Sequence, residues 1–172
     1  MPFAVTHVLT SIICVDLYRD YFTQHKKYFT LFTILVAGIA GLLPDIDVPL
    51  SWLLSKFGFT VSWLAHRTFT HTPVFALLFL IPGLILWYSK NKKHKLAMLF
   101  FVATFGIFLH IFLDLVLSPE GSIMLLWPFS TADFSLGLIS GNTSTIYAAL
   151  DAILLLAWLA HEEIKHKIKD FI

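Results

Sequence analysis

The feature that most constrains this chain is a series of long apolar runs separated by short polar segments. Four long runs cover residues 28–44, 73–88, 96–117 and 144–160, and a shorter one covers 3–18. A helix needs about 20 mostly apolar residues to cross a bilayer, and the runs approach that length once their flanks are included. The pattern predicts an all-α membrane bundle of about five helices. We expect four clear spans and a short N-terminal helix, in a single domain over residues 1–172.

The composition excludes water as the main solvent of this chain. Hydrophobic residues make up 58% of it and charged residues 13%, whereas an average soluble domain is about 25% charged. The formal net charge of +1 excludes nucleic acid as a general partner, because such binding needs a basic face. The single cysteine, Cys14, can form neither an intramolecular disulfide nor a Cys-rich zinc site. Any metal would therefore be bound by histidine and carboxylate side chains.

The basic residues predict how the chain is oriented in the membrane. If all five helices cross, ten of the twelve Lys and Arg residues fall on one face, leaving Lys56 and Arg67 on the other. The positive-inside rule places the basic face in the cytoplasm. We therefore expect a multi-pass membrane protein with its N-terminus outside the cytoplasm, a cytoplasmic C-terminus, and segments 45–72 and 118–143 outside. A cleaved signal peptide is not expected, because the cations follow the first apolar run instead of preceding it.

Seven potential metal ligands gather at the predicted outer ends of the helices. They are His7, Asp45, Asp47, His66, His71, His110 and Asp114. His110 and Asp114 are four residues apart in an apolar run, so both point to one helix face, and a carboxylate at that depth needs a cation or a metal. Asp45 and Asp47 lie between two prolines in a rigid, oxygen-rich corner that suits a cation. The same Asp-Pro pattern is also typical of a helix end.

Arg67 adds an anion-binding group to the segment between His66 and His71. A guanidinium binds planar and tetrahedral anions with paired hydrogen bonds. Because Arg67 is one of only two cations on the predicted outer face, the pattern favours a functional segment over a loop with incidental histidines.

Other ionisable residues leave alternatives open. His7 is equally a ligand or a helix-packing histidine, and Asp151 is equally a partner of the ligands or a packing residue. Glu120 and Asp133 lie on the predicted outer face, as a general base or as loop charges. The remaining histidines fall on the basic face and are expected to be solvated: His25, His94, His161 and His166.

Four short motifs in order resemble a known family. They are Thr6-His7, Leu43-Pro44-Asp45-Ile46-Asp47, His66-Arg67-x-x-Thr70-His71-Thr72 and His110-x-x-x-Asp114, followed by Gly121 and Trp127-Pro128-Phe129. This pattern is similar to the LexA-regulated membrane-bound metal-dependent hydrolases, the YdjM-like inner-membrane proteins. The family's usual His-Ser pair is His71-Thr72 here, which keeps the hydroxyl. The order of ligands is also faintly similar to that of zinc-dependent phospholipase C and nuclease enzymes.

The resemblance implies a polytopic membrane hydrolase that uses divalent metals, and the fainter likeness favours phosphoesters. Seven ligands exceed the four of one tetrahedral zinc, so we expect two ions, zinc or manganese. Arg67, Asp47 and Asp114 are the expected catalytic residues, with Arg67 binding the substrate anion. The expected partner is a lipid of the surrounding bilayer, whose headgroup reaches the site as substrate. Ester, amide and phosphoester cleavage stay open, and nothing indicates an oligomeric state.

Two functions of other classes also stay open. A divalent-metal transporter would need polar groups continuing to the inner face, where Asp16, Asp20 and Asp151 are the available acids. A non-catalytic scaffold, in which metals only clamp helices together, predicts a closed site without a substrate groove.

Overall fold

The computed structural model describes residues 3–23, 28–118, 123–139 and 143–166 of the chain. The fold is all-α, as predicted. The helices are α1 (Ala4–Tyr21), α2 (Leu31–Ala40), α3 (Asp47–Lys56), α4 (Pro73–Tyr88), α5 (His94–Leu117) and α6 (Thr143–His166). Short 3-10 turns at Pro44–Ile46, Ser62–Leu64 and Phe69–His71 connect α2 to α4.

The number of clear membrane spans is lower than the four that the apolar runs predicted. Among the described residues, two helices are long and apolar enough to cross a membrane: α5, and α6 over Ser144–His166. A third candidate exists only if α2 and Pro44–Lys56 are counted as one span bent by 51°. The helix α4 has only 16 residues. The helix α1 has 18 residues, but it carries Asp16, Arg19 and Asp20 in its last turns.

The break between α2 and α3 is the main departure from the predicted spans. The run at 28–44 forms a helix only to Ala40, and Pro44 then opens a 3-10 turn that leads into α3. Gly41 stands at this break because α1 passes very close to it. A Cβ at Gly41 would lie 2.6 Å from Oγ of Ser11 and 2.9 Å from the carbonyl oxygen of His7. The missing side chain thus lets the end of α2 approach the first turns of α1.

The helix α5 is the centre of the bundle and packs against α1, α2 and α4. A Cβ at Gly106 would lie 2.8 Å from the carbonyl oxygen of Ala37, so a glycine is needed where α5 crosses α2. The helix α6 packs along α1, and the Trp158 indole donates a hydrogen bond to Asp16 at 3.2 Å. Apolar packing around α5 therefore fixes the positions of the helices that carry the predicted ligands.

Segments 45–72 and 118–143, which were predicted to share one face of the membrane, lie at the same end of the bundle where the structure describes them. The Met124 amide donates to the carbonyl oxygen of Arg67 at 3.2 Å, and Leu136 donates to Leu115 at 2.8 Å. Which side of the membrane this end faces stays a prediction from the distribution of lysines.

Candidate metal centre

All seven predicted ligands come together at this end of the bundle. His7 comes from α1, and His110 and Asp114 come from α5. Asp45 lies in the 3-10 turn before α3 and Asp47 is the first residue of α3. His66 and His71 lie in the 57–72 connection. The fully buried members are His7, Asp47, His71, His110 and Asp114. The side chains of Asp45 and His66 are 21% and 34% exposed, so the cluster has one buried end and one accessible end.

The donor atoms in the middle of the cluster, which we call the central group, come from Asp45, His71 and His110. The Nε2 atoms of His71 and His110 are 3.3 Å apart, and Oδ1 of Asp45 is 3.5 Å from each. Oδ2 of Asp114 is 3.6 Å from the same two nitrogens. Ligand distances of about 2.0–2.1 Å around a tetrahedral zinc separate neighbouring donors by roughly 3.3 Å. The observed spacings fit an ion of that size.

A second set of donors, the deep group, extends the cluster into the bundle. It consists of His7, His110 and Asp114. Nε2 of His7 lies 3.4 Å from Oδ1 of Asp114, and the His7 ring stacks on the His110 ring with centroids 3.8 Å apart. His110 belongs to both groups, so the two form one continuous array.

A third set, the exposed group, extends the array toward the surface. It consists of Asp47, His66 and His71. Nδ1 of His66 lies 3.0 Å from Oδ1 of Asp47, and the Asp47 carboxylate also accepts hydrogen bonds from the Thr70 hydroxyl at 2.9 Å and the Arg67 amide at 3.2 Å. The polar atoms of this group are thus largely satisfied by each other.

Unsatisfied polar atoms in the central and deep groups fit a bound cation. Among the described residues, five buried atoms here have no hydrogen-bond partner: both ring nitrogens of His7, Oδ1 of Asp45 and both carboxylate oxygens of Asp114. A carboxylate that is buried and ionised costs several kcal/mol unless it is paired. Divalent cations in the two groups would satisfy Nε2 of His7 and the three carboxylate oxygens, and imidazole with carboxylate is a donor set that zinc and manganese accept.

Groups behind the ligands set the orientation of the two central histidines. Nδ1 of His110 donates to the carbonyl oxygen of Gly41 at 2.6 Å, which leaves its Nε2 lone pair facing the centre. The Thr70 hydroxyl donates to Asp47, so Nδ1–H of His71 donates to Thr70 at 3.0 Å and its Nε2 also faces the centre. Burial lowers the pKa of His71, which favours the neutral imidazole that binds metals.

Arg67 is held at the exposed side of the array. Its backbone has a φ of 67°, a left-handed conformation that costs a non-glycine residue about 1–3 kcal/mol. The bond from its amide to Asp47 helps to hold that conformation, and its Nη2 donates to Oγ of Ser118 at 3.3 Å. Its Nε is buried without a hydrogen-bond partner among the described residues. The guanidinium therefore keeps one unpaired N–H, which an anion would meet only after entering the site.

The structure describes two of the other ionisable residues that the sequence singled out near the site, Asp151 and Asp133. Asp151 accepts a hydrogen bond from Thr6 at 2.5 Å, a contact between α6 and α1 that lies one residue from His7. Asp133 is exposed, whereas Glu120, Gly121 and His25 lie outside the described residues.

The expectation that the histidines of the basic face are solvated is met by His166, which stays exposed, and not by His94 and His161, which are partly buried. Nε2 of His166 lies 2.7 Å from Asp20, and His161 is largely buried beside Glu162. The His94 ring packs on Trp87 with centroids 4.4 Å apart. The packing of α6 along α1 and of α5 beside α4 partly shields His161 and His94 from water. The sequence, interpreted as separate spans, did not predict these contacts.

Sequence reasoning missed two groups that position the site, the Gly41 carbonyl and the Ser118 hydroxyl. A backbone carbonyl occurs at every residue and gives no sequence signal. Thr70 belongs to the motif between His66 and Thr72, but the sequence indicated no role for it.

Comparison with known proteins identifies a family for this chain. No curated protein and no solved structure matches this chain, so the faint likeness to zinc-dependent phospholipase C gains no support. A family model described as YdjM inner membrane protein matches residues 1–168. That description agrees with the apolar helices and with a location in the inner membrane. Because the match covers nearly the whole chain, including every motif on which the resemblance rested, the protein belongs to the YdjM inner membrane protein family.

Proposed function

We propose that this protein is a membrane-embedded, metal-dependent hydrolase that acts on a phospholipid or another lipid-linked phosphoester at the outer membrane interface. The observation that carries the proposal is the central group, whose nitrogen and oxygen donors lie 3.3–3.5 Å apart. Structural zinc sites have four protein ligands, whereas catalytic sites have three and an open position. Asp45, His71 and His110 supply three donors, and Oδ2 of Asp114, 3.6 Å from both nitrogens, would be a fourth. An open position in the central group would therefore depend on water replacing Asp45, whose side chain is 21% exposed.

The open end of the array favours an enzyme over a scaffold. A metal that only clamps helices needs a closed site. The deep group meets that description, because all its members are buried. The exposed group does not, because a third of the His66 side chain is accessible. A substrate that arrives from the surface would meet His66, Arg67 and Asp45 before any buried ligand.

The unpaired polar atoms support two ions, one in the central group and one between His7 and Asp114 of the deep group. Nε2 of His110 would bind the central ion, because its Nδ1 is bonded to the Gly41 carbonyl. The unpartnered atoms of His7 and Asp114 lie in the deep group, whereas Asp47 is already bonded to His66, Thr70 and Arg67. Zinc or manganese at these positions would supply a Lewis acid that activates water near neutral pH and polarises a phosphoryl group. Asp47 and His66, which the sequence predicted as ligands, lie outside both ion positions of this proposal. The metal stoichiometry of their variants tests whether they bind a further ion.

The protein's own residues supply binding and orientation. Arg67 would bind the phosphoryl oxygens through its unpaired N–H. Asp47, through Thr70, holds His71 in position, and the Gly41 carbonyl does the same for His110. Asp114 divides its two oxygens between the central nitrogens and His7, so it would couple the two ions.

A transport function receives less support. The path to the inner face would depend on Asp16 and Asp20, and both lie 3.1 Å from the guanidinium of Arg19. A buried cation between two acids opposes the passage of a divalent metal. Asp151, the third acid, is bonded to Thr6.

Elemental analysis of the detergent-purified protein tests the metal centre. We expect zinc or manganese in the wild type and its loss in Asp114→Ala and His71→Ala. The matched control is Phe112→Ala, a change on the exposed side of α5, which should retain the metal. Headgroup release from phospholipid vesicles then tests hydrolysis. Absence of a bound transition metal, even after reconstitution with zinc or manganese, would overturn the proposal.

A further inference from the structure

A mostly apolar groove lies between α3 and the segment 59–65, and we call it the α3 groove. It encloses about 300 Å³. Its walls include Leu54 of α3 and Phe59, Val61 and Leu64 of the covering segment, with a few hydroxyls among them. Small-molecule sites enclose roughly 300–1,000 Å³, so the groove has room for part of a ligand and not for a whole lipid.

The α3 groove lies next to the exposed group along α3. Asp47, Ser51 and Leu54 follow each other at helical spacing, so they share one face of α3. The Ser51 hydroxyl donates to the carbonyl oxygen of Leu64 at 2.9 Å, which ties the covering segment to this face. Two residues after Leu64 the chain reaches His66, whose ring nitrogen lies 3.0 Å from Asp47. The groove therefore runs along α3 away from the accessible end of the metal array.

Exposed aromatic side chains around the groove indicate that it lies beside membrane lipids. Trp52, Phe57 and Trp63 are exposed on α3 and the segment that follows it. Large aromatic side chains of this kind concentrate where a membrane protein meets the lipid headgroups. At that depth the abundant apolar ligands are the hydrocarbon chains of lipids.

We propose that the α3 groove binds one hydrocarbon chain of a membrane lipid and so places the lipid headgroup at His66 and Arg67. This inference rests on the proposed function, in which the lipid headgroup is the part of the substrate that is hydrolysed. It adds a substrate-positioning site, formed by Leu54, Val61 and Leu64, to the metal ligands. It also assigns the short segment 59–65 a role in selecting substrates that carry a long chain.

A comparison of two substrates tests the groove through activity. One is dioleoyl phosphatidylglycerol in mixed micelles, and the other is bis-p-nitrophenyl phosphate, which has no hydrocarbon chain. Leu54→Trp should fill the groove and lower kcat/KM for the lipid, relative to the chainless ester, about ten-fold. Leu53→Trp adds the same ring on another face of α3 and should leave that ratio at its wild-type value. An unchanged ratio in Leu54→Trp would overturn the proposal.

A labelling experiment tests the groove without any turnover. Vesicles of phosphatidylethanolamine and phosphatidylglycerol would carry a phospholipid with a diazirine in its chain, and labelled peptides would be mapped by mass spectrometry. We expect labelling of Val61 and Leu64 that falls several-fold in Leu54→Trp and not in Leu53→Trp, with exposed Ile153 of α6 as the internal reference. Equal labelling in both variants would overturn the groove. Labelling as expected, without hydrolysis of either substrate, would support the groove and contradict the hydrolase.

Discussion

At the scale of single residues, the site depends on side chains held by groups far away in the sequence. The Nδ1 atom of His110 is fixed by the carbonyl of Gly41, and Gly41 is itself fixed by the close passage of α1. The lack of a side chain at one position therefore determines where an imidazole on another helix points.

Gly41→Ala should disturb this arrangement. The new methyl group would meet Ser11 and the His7 carbonyl at 2.6–2.9 Å, which pushes α1 away from the end of α2. Overpacking of this kind costs about 1–3 kcal/mol of stability, and loss of a group that orients a ligand typically weakens metal affinity about 10- to 100-fold. Metal titration and thermal unfolding in detergent would measure both effects. Wild-type metal affinity in this variant would contradict the role of the Gly41 carbonyl.

A pair of histidine variants locates the second ion. His7→Ala should lose about one equivalent of metal, because it removes a donor of the deep group. His66→Ala should keep the wild-type metal content and lose hydrolysis, since the exposed group is satisfied by its own hydrogen bonds. Metal loss in His66→Ala with full retention in His7→Ala would move the second ion to the exposed group.

At the scale of elements, the helices α1 and α6 are joined by polar contacts at each end. Near the site the Thr6 hydroxyl donates to Asp151, and near the basic end Trp158 donates to Asp16. Because α6 is largely exposed to lipid, these few bonds have a large share in holding it on the bundle.

Thr6→Val should weaken this attachment. It leaves the half-buried Asp151 carboxylate without its hydroxyl donor, at a cost of about 1–2 kcal/mol, and lowers the unfolding temperature in detergent. Thr10→Val is the matched control, because its hydroxyl bonds only to the carbonyl of Thr6 in the same helix. Unchanged metal content in Thr6→Val would identify Asp151 as a packing residue, and loss of metal would make it a partner of the ligands.

At the scale of the whole molecule, the bundle has a metal-ligand end and a basic end. Lys92, Lys93 and Lys95 lie in the connection between α4 and α5 and at the start of α5, away from the ligands. The positive-inside rule then predicts that the ligand end faces outward.

Cysteine labelling in intact cells tests this orientation. In a Cys14→Ser background, Asp133→Cys at the ligand end should react with a membrane-impermeant maleimide. Lys92→Cys at the basic end should react only after the membrane is permeabilised. Both positions are exposed, so the difference reports the side of the membrane. The reverse pattern would place the metal centre in the cytoplasm.

The sequence by itself determined the helical class, the family and the seven candidate ligands. Apolar runs show which solvent surrounds a chain, and an Asp such as Asp114 inside one of them stands out because its burial needs compensation. The spans were less well determined. The chain bends after Ala40 because close packing on α1 and Pro44 end the helix there, although the apolar pattern continues.

Only the tertiary structure decided how the ligands are grouped. Which nitrogen of His71 faces Asp45, and which oxygen of Asp114 faces His7, depends on contacts between helices that no local pattern encodes. The Gly41 carbonyl and the α3 groove likewise exist only because separate segments pack together. A sequence can display polar residues that are costly to bury, but the distances between them come from the packing of the helices.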